Sequence, residues 1–243
     1  SNNFQNVVME KSANKQRLDL LLVERNLATS RSQAQALIME GVVFANGQRV
    51  DKAGTLLKTD TEILVKNSSL KYVGRGGLKL ESALKNFEVD VNGYVALDIG
   101  ASTGGFTDCL LQNGASKVYA VDVGYGQLDW KLRNDDRVVV MEKINARHMK
   151  QEDIPERVDI VVIDVSFISL TKIIAPSMML MKPGALMIAL IKPQFEVGKG
   201  EVGKGGIVRD ENKHTQVVDK ITKHLEDLNF NVKGVIPSPI LGA

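Results

Sequence analysis

One cysteine, Cys109, and three scattered histidines, His148, His214 and His224, are all that 243 residues offer to disulfide or soft-metal chemistry. A single thiol closes no intrachain disulfide, and histidines this far apart give no ligand cluster at metal-site spacing, so the sequence predicts no metal. Long hydrophobic runs are missing too. The longest, Ala185 to Ile191, stops at Lys192 and falls far short of the roughly 20 residues that cross a bilayer. The polar stretch from Ser1 to Lys15 has no apolar segment of signal-peptide length, so the expected address is cytoplasmic, with no membrane partner. Neither sign of charge dominates, since the net charge is only +2. It is unevenly spread: residues 1–71 hold ten Lys/Arg against seven Asp/Glu, and residues 72–243 hold 21 against 22. A mildly basic front end on a near-neutral body points weakly to an anionic partner. With 25% charged and 44% hydrophobic positions the chain is neither disordered nor fibrous, and it is long enough for one large domain and a small one.

The chain divides near residue 70, after a flexible N-terminus expected at residues 1–15. From Gln16 onward Leu18, Leu21 and Leu22 repeat at helical spacing. Ser30-Arg31-Ser32-Gln33 then forms a capping box ahead of the apolar stripe Ala34, Leu37 and Ile38, and Gly41 supplies the stop. Arg17, Arg31 and Gln35 lie opposite that stripe. Val42 to Ala45, Asn46-Gly47 and Gln48 to Val50 spell a hairpin, and Thr61 to Val65 adds a strand. The order Arg-Leu-Asp, Ser-Arg-x-x-Ala, Ile-x-x-Gly-x-Val and Asn-Gly over residues 16–66 resembles the S4 RNA-binding domain, a small α+β unit. That resemblance implies that Arg17, Arg31, Arg49 and Lys52 face structured RNA, touching phosphates and shape more than sequence. The competing reading is four solvated surface cations. Residues 67–77 are expected to be a linker with the tract Gly74-Arg75-Gly76-Gly77, and Arg75 joins the cations expected on RNA.

Beyond the tract, Leu78, Leu80, Ala83, Leu84 and Phe87 predict a helix, and strand candidates follow at Tyr94–Ile99, Lys117–Val121, Val138–Val140, Asp159–Ile163, Ala185–Ile191 and Phe230–Val235. They are apolar and β-branched without alternation, which predicts an α/β domain over residues 78–243: a doubly wound, mostly parallel, Rossmann-like sheet with helices on both faces. The turn after the first strand reads Asp98-Ile99-Gly100-Ala101-Ser102-Thr103-Gly104-Gly105-Phe106. A dinucleotide fold needs glycine where Ser102 stands, so that the backbone can approach a pyrophosphate, and a side chain there argues against NAD or FAD. A cofactor without phosphates tolerates it. After the second strand, Asp122 is placed to accept both hydroxyls of a ribose, unless it is a turn or helix-cap residue.

The Asp-x-Gly-x-x-x-Gly-Gly-Phe turn resembles the first motif of class I methyltransferases. The resemblance implies S-adenosylmethionine as cofactor, with Asp98 near its amino-acid end and Gly100, Ala101, Ser102, Gly104 and Phe106 around it. Asn145 falls where such enzymes often contact the adenine side, or else is a turn residue. Cys109 reads as a small core residue.

The acceptor is discriminated at the ends of strands four and five. Strand four ends Ile163-Asp164-Val165-Ser166-Phe167, without the Asn-Pro-Pro-Tyr typical of base-amine methylation and without the cysteine needed for 5-methylcytosine. Strand five ends Ile191-Lys192-Pro193-Gln194-Phe195-Glu196, so a lysine leaves an apolar strand directly into the crevice. With Lys79, the series Lys79, Asp164, Lys192 resembles the Lys-Asp-Lys-Glu tetrad of FtsJ-type ribose 2′-O-methyltransferases, which implies catalytic roles for all three; Asp164 could hold cofactor as well. A ribose hydroxyl is a poor nucleophile, so a base must take its proton as it attacks the methyl. Most of the acceleration comes from holding oxygen, carbon and sulfur in line. The tetrad's glutamate, on the last strand, would follow soon after Ser238-Pro239-Ile240-Leu241-Gly242, past Ala243. The stretch Gly198 to Gly206 reads as a mobile loop over the crevice.

An S4 unit followed by an FtsJ-type domain resembles the TlyA/hemolysin A family of ribosomal RNA methyltransferases over nearly the whole chain. Tyr72 to Leu80, Asp98 to Asp108, Asp164 to Leu170 and Lys192 to Glu196 carry the match. It implies 2′-O-methylation of cytidine in ribosomal RNA, with ribosomal RNA or ribosomal subunits as partner, and leaves oligomeric state open. The rivals are an RNA-binding protein with a silent methyltransferase fold and a membrane-active cytolysin.

Overall fold

The computed structural model describes residues 14–66, 71–74, 76–198, 202–203, 208 and 210–238. Expectations for residues 1–13, for 67–70 and Arg75 of the linker, for most of the 198–206 loop and for residues 239–243 lie outside these. The chain forms two compact units, residues 1–69 and 70–243.

In the first unit β1 (Lys15–Arg17) leads into α1 (Leu18–Glu24) and α2 (Arg31–Met39), followed by β2 (Val43–Ala45), β3 (Gln48–Arg49), β4 (Leu56–Lys58) and β5 (Ile63–Val65). Ser30 caps α2 as its sequence position requires, its hydroxyl accepting the Gln33 N–H at 3.1 Å. Asn46 and Gly47 both adopt positive φ, 47° and 80°, the conformation that lets a two-residue turn follow the twist of β2 and β3. The strands make two antiparallel sheets, β3-β2-β5 and β1-β4. Leu18, Leu21, Leu22, Leu37, Ile38, Val43 and Ile63 fill the core between helices and sheet.

In the second unit α3 (Gly76–Asn86) precedes β6 (Val95–Ile99), α4 (Gly105–Gln112), β7 (Lys117–Val121), α5 (Trp130–Arg133), β8 (Val138–Met141), β9 (Val158–Ile163), α6 (Ile174–Met178), β10 (Met181–Ala189) and α7 (Glu211–Asp227). The five strands pair in the order β10-β9-β6-β7-β8, all parallel. Both sheet faces are covered, which is why no strand alternates. Ala96, Val118, Ile160 and Val162 enter one layer with Leu80, Phe106 and Leu110 of α3 and α4, whereas Leu97, Ile99, Tyr119, Val161 and Ile163 enter the other with Ile174, Val217 and Ile221.

One expectation is corrected. Phe230 to Val235 is not a strand: it leaves the end of α7, with the Phe230 N–H donating to the Leu225 carbonyl at 3.0 Å, and no described residue offers it a ladder. Residues 67–70 and 75 of the linker expected at 67–77 lie outside the described residues, and the described ones around them are packed. Tyr72 is buried, the Val73 N–H donates to Asp108 Oδ2 at 2.9 Å, and α3 already begins at Gly76. The glycines serve packing: a Cβ on Gly105 would lie 2.9 Å from the Gly77 nitrogen, and one on Gly77 would lie 2.6 Å from Tyr72. No helix among the described residues is long and apolar enough to cross a membrane.

Candidate active site

All five strands end at one edge of the sheet. There the chain leaves β6 for β7 on one side and later returns to β9 on the other, so β6 and β9 border the crevice where open α/β sheets bind ligands. The glycine turn occupies that point. Gly100 has φ of 83°, and a Cβ on it would stand 2.0 Å from the Asp164 carbonyl oxygen, so the ends of β6 and β9 meet there only because Gly100 has no side chain. Gly104, with φ of 103°, caps α4 and lies against Leu132 and Leu128.

Asp122 ties the turn to the end of β7. Its Oδ2 accepts the Ser102 N–H at 2.7 Å and its Oδ1 accepts the Gly124 N–H at 2.8 Å. Beside it a shallow cleft is lined by Ala101, Ser102, Asp122, Gln127, Leu128 and Glu142 among others. Asn145 is not one of its lining residues; it is exposed, and its Oδ1 caps the turn Ala146–His148 by accepting the Arg147 N–H at 3.1 Å. Glu142 and Gln127 were not anticipated. Glu142 closes β8 as Asp122 closes β7, an acid ending an apolar strand, and that was its available signal; it accepts the Gly126 N–H at 2.5 Å and pairs with Arg133.

Asp98 is fully buried beneath the turn. Its Oδ2 accepts the Thr107 hydroxyl at 2.7 Å, while Oδ1 has no hydrogen-bond partner. Burial, helped by the nearby Asp164 and Asp122 carboxylates and opposed by Thr107, pushes its carboxyl up to about 7. Phe106 is buried in the layer above β6, and the Cys109 thiol, pushed up to about 12 by burial, is no nucleophile.

On the other side of the crevice Lys192 Nζ stands 2.5 Å from Asp164 Oδ1 and donates to Ser166 Oγ at 3.1 Å. The contact with Asp164 lies off the hydrogen-bonding direction, so the two are held as an ion pair with both side chains about a quarter exposed. The first turn of α3 abuts the same carboxylate, a Cβ on Gly76 falling 3.8 Å from Asp164 Oδ2. Lys79 is half-buried one turn further along α3, on the face shared by positions three apart. Thus Asp164 and Lys192 are in contact, and Lys79 rides on the helix that touches Asp164.

The rim is aromatic. Phe167 has φ of 64° and is 91% exposed, with its ring centroid 5.0 Å from that of Phe195 at 53°. Glu196, its side chain only 2% exposed, joins the two rim loops: it accepts the Ser169 hydroxyl at 2.6 Å and the Leu170 N–H at 2.8 Å, with Lys220 Nζ at 3.3 Å.

In the first unit the anticipated cations fall into two kinds. Arg17 and Arg31 are both bound to buried Asp19, whose carboxyl is held well below the usual carboxylate range, chiefly by the Arg17 hydrogen bond. Arg49 and Lys52 are exposed, and the Arg49 guanidinium lies 5.8 Å from the Phe44 ring centroid.

The chain has counterparts among known proteins. Residues 72–243 match the family model described as FtsJ-like methyltransferase, and residues 16–63 match the S4 domain. The 16S/23S rRNA (cytidine-2′-O)-methyltransferase TlyA of Mycobacterium tuberculosis (strain ATCC 25618 / H37Rv) is 46% identical over 231 residues, covering 95% of this chain and 86% of that protein. Hemolysin A of Brachyspira hyodysenteriae is 44% identical over 229 residues, covering 93% of this chain and 95% of that protein. A solved structure from Streptococcus thermophilus, whose description carries the word hemolysin, has a TM-score of 0.75 and 46% identity over 95% of this chain and 85% of that chain.

Proposed function

The chain belongs to the FtsJ-like methyltransferase family and carries an S4 domain ahead of its catalytic unit, and on that premise we propose that it methylates the 2′-hydroxyl of cytidine in ribosomal RNA, with S-adenosylmethionine as donor. The contact of Lys192 with Asp164 at the crevice, with α3 against the same carboxylate, is the observation that carries this reading.

The residues present suit the donor. Asp98 Oδ1 is a buried acceptor without a partner, as a site for a cationic ligand requires, and each Asp122 oxygen, with one N–H already accepted, keeps a lone pair for a ribose hydroxyl. Ala101, Ser102, Gly104 and Asp122 would border the adenosyl end, and Asp98 the amino-acid end. When bound, the donor supplies a methyl group activated by a positively charged sulfur.

In its neutral amine form Lys192 would receive the proton of the 2′-hydroxyl as the oxygen bonds to the methyl carbon, while the methyl–sulfur bond breaks and its electron pair stays on sulfur. Asp164 and Ser166 fix the amine over the crevice, so that the attacking oxygen is held by the groups that take its proton. Lys79 adds a second cation near the same carboxylate. The exposed Phe167 and Phe195 rings offer a stacking surface for a base lifted out of a helix, the usual way in which single nucleotides of RNA are presented. Arg49 and Lys52 extend phosphate contacts from the S4 unit, and the cytoplasm, where ribosomes are, is the matching compartment.

The test is transfer of labelled methyl from S-adenosylmethionine to purified ribosomal subunits, with the product mapped. A methyl that protects one phosphodiester from alkaline cleavage at a cytidine supports the proposal. Methyl on a base overturns the ribose assignment, and a folded protein that binds donor but transfers nothing returns the chain to an RNA-binding role.

A further inference from the structure

The most heavily bonded carboxylate among the described residues lies outside the catalytic unit. Asp19 is fully buried at the start of α1 and accepts five hydrogen bonds. Its Oδ1 takes Arg17 Nε–H at 3.1 Å and the Leu20 N–H at 2.9 Å; its Oδ2 takes Arg17 Nη2–H at 3.0 Å, Arg31 Nε–H at 3.0 Å and Gln35 Nε2–H at 3.1 Å. Three elements therefore converge on one side chain: the end of β1, the first turn of α1 and the first half of α2.

Stability alone explains this poorly, because a buried ion pair gives back most of its attraction as desolvation. Geometry explains it better. Arg17 Nη2 and Arg31 Nε share one oxygen at 3.0 Å each, so they lie no more than about 6 Å apart, a separation at which two cations repel unless an anion stands between them. Both guanidiniums are gripped by their inner edges. Arg17 Nη1 and both terminal nitrogens of Arg31 make no hydrogen bond within the described residues, and the two side chains are 40% and 54% exposed. Gly54 leaves Arg17 room, since a Cβ there would already stand 3.4 Å from its Nη1. A free surface arginine loses rotamer entropy when it takes a phosphate; one already held by a carboxylate loses less.

We propose that Asp19, seconded by Gln35, is a positioning residue that aims the outer edges of Arg17 and Arg31 at the RNA backbone as one phosphate-binding fork. The proposal rests on the reading of the first unit as RNA-facing, and it reverses the expectation from charge. Deleting a negative charge beside a polyanion site should tighten binding if charge alone mattered, whereas loss of the fork weakens it.

The dissociation constant of the full chain for purified ribosomal subunits, from 50 to 200 mM KCl, decides between them. Asp19→Asn is expected to bind about tenfold more weakly, with the slope of log K against log salt lower by about 1 to 2. Added to an Arg17→Ala/Arg31→Ala background it should cost nothing further, because it acts only through those side chains. Binding by Asp19→Asn as tight as wild type or tighter overturns the proposal, and so does the same tenfold loss in the arginine-free background. Should Asp19→Asn unfold the first unit, Gln35→Met decides: about threefold weaker binding with intact folding is expected, and unchanged binding overturns the proposal. Weak, salt-insensitive binding by wild type would instead overturn the RNA reading of the unit itself.

Discussion

Two buried aspartates, one in each unit, show how donors set the role of an acid. Asp19 accepts five hydrogen bonds, two of them from guanidiniums beyond Arg17 Nε, and is held ionised far below its ordinary range. Asp98 accepts the Thr107 hydroxyl, leaves one oxygen unpaired among the described residues, and is pushed up to about 7. The first is complete within the chain and serves to arrange other side chains. The second leaves a buried acceptor oxygen unused among the described residues.

The comparison can be broken at several points. The largest effect is expected for Gly100→Ala, which forces a side chain at φ of 83° and into the Asp164 carbonyl; it should cost at least about 3 kcal/mol and abolish donor binding, measured by urea unfolding and calorimetry. A fully stable Gly100→Ala would mean that β6 and β9 do not meet as described.

The two acids should differ next in the pH dependence of stability. For Asp98 the folded value, about 7, lies above the unfolded value of 3.8, so its contribution is complete below pH 4 and is lost as pH rises to about 7. Asp98→Asn should remove that slope, a difference of a few kcal/mol in unfolding free energy across the window. For Asp19 the folded value is depressed, so its contribution is present above the unfolded value of 3.8 and vanishes only as pH falls through the folded one. Asp19→Asn should therefore lower stability evenly from pH 5 to 9. Equal pH profiles for the two variants would erase the contrast.

The smallest effect separates arranged cations from free ones. Arg49→Ala, at an exposed arginine away from Asp19, should weaken ribosomal-subunit binding modestly and reduce the salt slope by about 1. An unchanged slope would take Arg49 out of the interface.

Much of this was legible in the sequence because it is local or repetitive. Central strands covered on both faces are mostly apolar without alternation, so β6, β7 and β9 stand out. The Gly100 turn and the emergence of Lys192 from an apolar strand are also local signals. What depends on distant partners was hidden. β1 and β4 are three residues each and exist only by pairing with one another, and the stretch after α7 has strand-like residues without a neighbour. The close approach of Gly77 to Tyr72 and to Gly105 has no local signal in the sequence. Asp19 sits inside the Arg-Leu-Asp signature, yet its sequence position does not reveal that Arg31 and Gln35, on another helix, share its oxygen.

The most direct test of the account is a single-turnover measurement with saturating S-adenosylmethionine and ribosomal subunits, comparing wild type with Lys192→Ala. The account predicts a methyl-transfer rate lower by about 10² to 10⁴ with donor affinity retained. A rate equal to wild type, or a loss explained wholly by weaker donor binding, would contradict it.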